Sequence, residues 1–99
     1  MKLAKYDLNV ILVPHLNETQ LQAEKDAVAA QVERAGGQIL ELDEWGTRRL
    51  AYQIRKFNEG HYLIYRVMLP GTAPQTIEAA LRQRDNVMRV LVVKDRPEW

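Results

Sequence analysis

The order in which two kinds of apolar periodicity follow one another limits the fold of this chain more than any other feature. Strict alternation of apolar and polar residues predicts strands with one buried face, and apolar residues at helical spacing lie between them. The pattern predicts strands over residues 3–13, about 38–54, 61–69 and 87–94, with helices over about 17–35 and 72–84. The order strand, helix, strand, strand, helix, strand is that of the split βαβ, ferredoxin-like fold. We therefore expect an α+β protein with a four-stranded antiparallel sheet and both helices on one face.

The ends of both helices carry capping signals. Asn17 with Gln20 three residues later predicts an N-cap with a capping box. The pair Gly36-Gly37 follows the first helix, so it predicts a left-handed helix end rather than a phosphate loop, which would precede a helix. Thr72 predicts the second N-cap, with Gln75 as its capping-box partner. On the first helix we expect a buried stripe of Leu21, Val28, Val32 and Ala35, and solvent-facing Glu24, Lys25, Asp26, Gln31 and Glu33.

The second strand is predicted to be irregular. Apolar residues recur at every third position between 39 and 45, which breaks the alternation and indicates a bulge next to Gly46. The turn that follows is predicted at residues 56–60, where an asparagine and a glycine favour positive φ.

Composition excludes several classes of function. A chain of 99 residues is expected to form one domain over 1–99, and without cysteine or serine it has neither a thiolate nor a serine nucleophile. His15 and His61 lack metal-ligand spacing and are expected on the surface. The acidic cluster at 41–44 is expected to be solvated or paired with nearby arginines. We expect no catalysis, no cofactor and no metal.

No apolar run approaches the roughly 20 residues of a membrane helix, and the start of the chain lacks an apolar stretch of signal-peptide length, so a cytoplasmic protein is expected.

The net charge of +1 conceals an uneven distribution of charge. Residues 1–46 carry four basic and eight acidic side chains, whereas residues 47–99 carry ten basic and five acidic ones. Arg48, Arg49 and Arg55 lie close together on the second strand, and arginine binds phosphate through planar, paired donors. The segment is either a nucleic-acid surface or a solvated edge strand whose charges block aggregation. Sequence pattern alone leaves both interpretations open.

The face of the sheet away from the helices is not wholly polar, although it is expected to meet solvent. Contiguous apolar surface of this kind usually marks a partner site, unless bulges move these residues into the core. The residues on or near this face are Ile11, Val13, Tyr62, Ile64, Met68, Leu91 and Val93.

Several runs of the chain resemble the bacterial small-subunit ribosomal protein family that is sixth by conventional count, ribosomal protein S6. The resemblance extends over nearly the whole chain, although Gln53 stands where the family often has proline. The runs are YDLNVIL (6–12), GTRRLAYQI (46–54), GHY (60–62), LRQRDNVMR (81–89) and LVVK (91–94).

The resemblance implies a ferredoxin-like, non-enzymatic component of the cytoplasmic ribosome. It also implies binding to small-subunit ribosomal RNA in the central domain (the platform), as a heterodimer with the eighteenth small-subunit protein. The apolar sheet face would dock that protein through Tyr62, Ile64, Ile11, Leu91 and Val93. The residues expected to contact RNA are Arg48, Arg49, Arg82, Arg84, Arg89 and Lys94, followed by Lys2, Arg55 and Lys56.

Two alternatives share this topology. One is an autonomous reader of single-stranded RNA, although the strand at 61–67 has aliphatic residues where such readers stack bases. The other is a small phosphate-cleaving enzyme, which would need an arginine and an anion cradle in the loop at 14–17, and that loop has neither arginine nor glycine.

Overall fold

The fold has the predicted element order. The computed structural model describes residues 3–94, and these form β1 (Leu3–Leu12), α1 (Glu18–Arg34), β2 (Gln38–Ile54), β3 (Phe57–Pro70), α2 (Ala73–Arg82) and β4 (Val87–Lys94). The strands pair antiparallel in the order β2-β3-β1-β4, so β2 and β4 are the edges of the sheet. The prediction of a ferredoxin-like α+β fold is confirmed.

The core lies between the helices and one face of the sheet. Alternate residues of β1 and β3 face the helices because side chains on a strand point to opposite sides in turn. None of the 17 residues of β2 is buried, because the strand lies at an edge and its second half belongs to a long hairpin with β3. The buried apolar side chains are Leu8, Val10, Leu12, Val28, Val32, Leu63, Tyr65, Val67, Leu69, Ala73, Ile77, Leu81, Val87 and Val90.

Both ends of α1 confirm the capping predictions. The side chain of Asn17 accepts a hydrogen bond from the backbone N–H of Gln20, and the Gln20 side chain accepts one from the N–H of Asn17. Gly36 adopts φ of 84°, and the N–H groups of Gly36 and Gly37 donate to the carbonyls of Glu33 and Val32. These paired bonds close a Schellman motif. At α2 the prediction was wrong in one respect, because Thr72 occupies the N-cap without a capping bond from its side chain.

The turn between β2 and β3 is earlier than predicted. Ile54 pairs with Phe57 across a two-residue connection, and its central residues Arg55 and Lys56 adopt φ of 51° and 69°. Gly60, expected in the turn, instead lies buried inside β3. A Cβ there would stand 2.5 Å from Cγ2 of Ile11, so glycine is needed for close strand packing rather than for a turn.

Glu24 departs from its predicted exposure. It is only 4% exposed, although the helical pattern placed it on the solvent face of α1. The reason is an ion pair with Arg84, which lies 60 residues away in sequence.

Candidate interface for protein and RNA partners

The sheet face away from the helices contains an open apolar cavity of about 340 Å³. Four of the five residues predicted to contact a protein partner line it, and they come from β1, β3 and β4. The fifth, Val93, is exposed on the same face opposite Asp7 and does not line the cavity. The lining residues are Ile11, Tyr62, Ile64 and Leu91, together with Asn9, Trp45 and Arg89.

Trp45, like Asn9, lines this cavity although the sequence pattern did not identify it as an interface residue. Its indole stacks on the ring of Tyr62 with centroids 6.0 Å apart and planes inclined by 18°, and its Nε1 donates to Asp43 at 2.9 Å. The predicted bulge is present between Glu44 and Gly46, where the register with β3 shifts and Gly46 adopts φ of 77°. Asp43 pairs with Ile64 on the cavity side, so alternation along the strand places Trp45 on the same side. An earlier register shift, between Ile39 and Glu41, is what separates Trp45 from the face that Ile39 occupies.

Residues 47–60, the connected ends of β2 and β3, extend beyond the four-stranded sheet and are called the basic arm here. The arm touches the start of β4 at two points. Nη1 and Nη2 of Arg55 donate to the backbone carbonyls of Asp85 and Val87, each at 2.8 Å. The guanidinium of Arg89 donates to the hydroxyl of Tyr52.

The loop between α2 and β4 is held by a buried carboxylate. Arg84 donates to Glu24 through Nε at 2.7 Å and Nη2 at 3.2 Å, and Asn86 Nδ2 donates to the same carboxylate at 3.2 Å. The hydrogen bond from Arg84 lowers the pKa of Glu24 and outweighs the opposing effect of burial. The same bond raises the pKa of Arg84. Arg84, predicted to contact RNA, therefore already has a partner within the fold.

The remaining predicted cations differ in their surroundings. Arg82 pairs with Glu78 at 3.2 Å along α2, and Nη1 of Arg48 donates to the carbonyl of Thr47 at 3.3 Å. Lys2 lies outside the described residues. The predicted RNA-contacting residues that are exposed are Arg48, Arg49, Arg55, Lys56, Arg82, Arg89 and Lys94.

A second group of charges lies at the junction of α1, β2 and β3. Glu44 accepts hydrogen bonds from Lys25 at 2.5 Å and His61 at 2.7 Å, and the bond from Lys25 is the main reason that its pKa is lowered. His61 is thus half-buried rather than a free surface residue. Burial raises the pKa of Tyr65, whose hydroxyl has no hydrogen-bond partner among residues 3–94.

The described part of the chain has neither a metal-binding cluster nor a membrane-spanning helix. Within residues 3–94 no group of three His, Asp or Glu side chains is placed to hold a metal ion. In the same span no helix is long and apolar enough to cross a membrane.

Known proteins match nearly the whole chain. The family model for ribosomal protein S6 matches residues 5–94. The small ribosomal subunit protein bS6 of Deinococcus radiodurans is 53% identical over 95 residues, which cover 96% of this chain and 93% of that protein. The protein of the same name from Thermus thermophilus is 39% identical over 92 residues, which cover 93% of this chain and 91% of the relative.

The fold comparison agrees with the sequence comparison. The crystal structure of 30S ribosomal protein S6 from Thermotoga maritima superposes with a TM-score of 0.87 at 26% identity, covering 95% of this chain and 89% of that one. The chain therefore belongs to the ribosomal protein S6 family, structural and non-enzymatic components of the small subunit of the cytoplasmic bacterial ribosome, as its sequence motifs predicted.

Proposed function

We propose that this chain binds small-subunit ribosomal RNA in the central domain as one half of a heterodimer with the eighteenth small-subunit protein. The observation that carries the proposal is the position of the apolar cavity beside the basic arm, on the sheet face opposite the two described helices. One surface thus offers apolar contacts for a protein and cations for phosphates.

The cavity has the features of a protein-binding site. Leu91 is 46% exposed and Trp45 is 47% exposed, and burying a large apolar side chain contributes about 1.5–3 kcal/mol. Stacked aromatic rings such as Trp45 and Tyr62 are typical of residues that dominate binding energy at interfaces. Docking the partner protein would remove this apolar surface from water.

The cations supply the RNA contacts in the proposal. Helical RNA has a narrow major groove, so Arg48, Arg49, Lys56 and Arg89 are expected to meet phosphates and 2′-hydroxyls rather than base edges. The protein has a net charge of only +1, and eight acidic side chains in its first 46 residues oppose binding to a polyanion. We therefore expect weak RNA binding by this protein alone and tight binding by the heterodimer.

The test is RNA binding by this protein, with and without the partner protein, to the central-domain fragment of the ribosomal RNA at several salt concentrations. Tight, salt-dependent binding by the pair alone supports the proposal. Equal affinity of the lone protein would indicate an autonomous RNA reader and would refute the role of the partner. Arg48→Ala and Arg89→Ala should each reduce the slope of log K against log salt by about one, and unchanged slopes would refute the assignment of these residues.

The protein side of the interface has its own matched test. Leu91→Asp places a charge in the cavity and should weaken heterodimer formation at least tenfold by calorimetry, or about 1.4 kcal/mol. Leu40→Asp is the control, because Leu40 is 45% exposed but does not line the cavity. Equal effects of the two substitutions would show that the cavity is not the docking site.

A further inference from the structure

We propose that Tyr52 and Arg55 are positioning residues that hold the basic arm against the start of β4, so that its exposed cations meet RNA in a fixed arrangement. The inference rests on the proposed function, because it names the residues that set the geometry of the same RNA surface. It also gives Arg55 a role other than the phosphate contact expected from its sequence context.

The donors of Arg55 are directed into the protein. Its two terminal nitrogens donate to the main-chain carbonyls of Asp85 and Val87, each at 2.8 Å. These acceptors lie 30 and 32 residues away in sequence. Such paired, charge-assisted bonds use the planar fork of arginine, which a lysine ammonium cannot reproduce. Lys56, the next residue, is exposed and remains available to a phosphate.

The carbonyls that Arg55 binds belong to a firmly held segment. Arg84 and Asn86 bracket Asp85, and both donate to the buried carboxylate of Glu24. The carbonyl of Asn86 also accepts a hydrogen bond at 2.9 Å from the N–H of Val13, the residue that follows β1. The tip of the arm is therefore attached to a point that is itself bonded to α1 and to the central sheet.

Tyr52 provides the second attachment. It is 62% exposed, so its ring gains little from burial, yet its hydroxyl accepts a hydrogen bond from Arg89. Arg89 also lines the apolar cavity, and this attachment therefore lies at the border of the surface proposed to dock the partner protein.

The backbone conformation of the turn indicates that arginine is present at position 55 because of the hydrogen bonds that its side chain makes. The two central residues of this hairpin have positive φ, of 51° and 69°, a conformation for which asparagine and glycine are preferred. Arginine and lysine occupy it here. The bonds made by Arg55 offset the unfavourable backbone conformation, since they tie the tip of the hairpin to the rest of the fold.

The experiment uses the heterodimer and the central-domain RNA fragment, with Arg55→Lys, Arg55→Ala, Tyr52→Phe and, as a phosphate-contact control, Lys56→Gln. If Arg55 positions the arm, Arg55→Lys should lower RNA affinity as much as Arg55→Ala, about threefold to tenfold, with the salt slope unchanged. Tyr52→Phe should lower affinity in the same range, again without a change of slope. Lys56→Gln should reduce the slope by about one.

Hydrogen exchange separates positioning from other causes. Backbone amides of residues 50–58 in the free protein should exchange faster in Tyr52→Phe and Arg55→Lys, because the arm is released, whereas Lys56→Gln should leave them unchanged. Wild-type affinity in both Arg55→Lys and Tyr52→Phe, or a slope that falls by about one only in Arg55→Ala, would overturn the positioning role. A wild-type heterodimer that fails to bind the RNA would instead overturn the proposed function, and with it the RNA role of the arm.

Discussion

Replacing Glu24 by alanine should destabilise the protein more than replacing any other charged residue that the helical pattern places on the solvent face of α1. The side chain of Glu24 is 5% exposed and that of Arg84 is 40% exposed. Removing one partner of a buried pair costs about 3–5 kcal/mol, whereas exposed pairs contribute at most about 1 kcal/mol. Since the orphaned guanidinium can be rehydrated, we expect an intermediate loss of about 2 kcal/mol, or a fall in Tm of about 8–15 °C.

Chemical and thermal unfolding of Glu24→Ala, Arg84→Ala and the double variant would measure this loss and the coupling between the two residues. Glu78→Ala is the control, because it removes a pair of similar type on α2 in which Arg82 is 66% exposed, and it should cost less than about 0.5 kcal/mol. A loss at Glu24 no larger than the loss at Glu78 would refute the energetic importance of the buried pair.

The pH dependence of the difference in unfolding free energy between wild type and Glu24→Ala provides a second check. The folded pKa of Glu24 is lowered from its usual value of 4.5, so the pair contributes its full stabilisation above pH 4.5 and loses it as the pH falls through the folded pKa. The stability difference between wild type and Glu24→Ala should therefore shrink in acid. Glu44 also has a lowered pKa, but it is present in both proteins and cancels in the difference. A difference that stays constant down to about pH 3 would contradict this account.

Three further outcomes are expected. Asn17→Ala removes the side-chain acceptor for the N–H of Gln20 and should cost about 1 kcal/mol in chemical denaturation; no measurable loss would contradict the cap. Gly37→Ala would place a Cβ 2.4 Å from the carbonyl oxygen of Met68 and should cost about 1–3 kcal/mol. A Cβ on Gly71 would meet no atom of residues 3–94 within 4 Å, so Gly71→Ala should not carry this cost, and equal losses would refute the steric reason. Incubation with an acyl phosphate should release no phosphate, and turnover would contradict the non-enzymatic assignment.

Local patterns predicted the fold because each of its elements carries its own signal. Alternation identified the buried face of β3, and the prediction for β4 (Val87–Lys94) has the observed limits. The double glycine at 36–37 identified the end of α1 through conformations that depend on the adjacent residues alone. The turn was misplaced because the feature that decides it, the close approach of Ile11 to Gly60, joins residues far apart in sequence.

The candidate interface was predicted less completely for the same physical reason. The alternation of side chains between the two faces of regular strands predicted Ile11, Tyr62, Ile64 and Leu91, and the fold brings these residues to one cavity. Trp45 was missed because the register shift between Ile39 and Glu41 reverses the face of the sheet on which each later side chain of β2 lies. The sequence pattern indicates an irregular strand but does not give the position of that shift.

The basic residues illustrate a further limit, because charge in a sequence does not distinguish a cation that binds a partner from one that holds the fold together. Arg84 and Arg55 direct their donors to Glu24 and to main-chain carbonyls, and Arg82 is paired with Glu78. Among the predicted RNA-contacting residues within 3–94, Arg48, Arg49, Lys56 and Lys94 are exposed and have no such role. Arg89 is also exposed, and it keeps further N–H donors beside the one that binds Tyr52. Each phosphate contact contributes about 0.7–0.9 to the salt slope, so these five residues should account for a slope of about 3.5–4.5 in the heterodimer. A contribution near seven would mean that the internal arginines leave their partners on binding RNA, and that the fold rearranges at the arm and at the loop before β4.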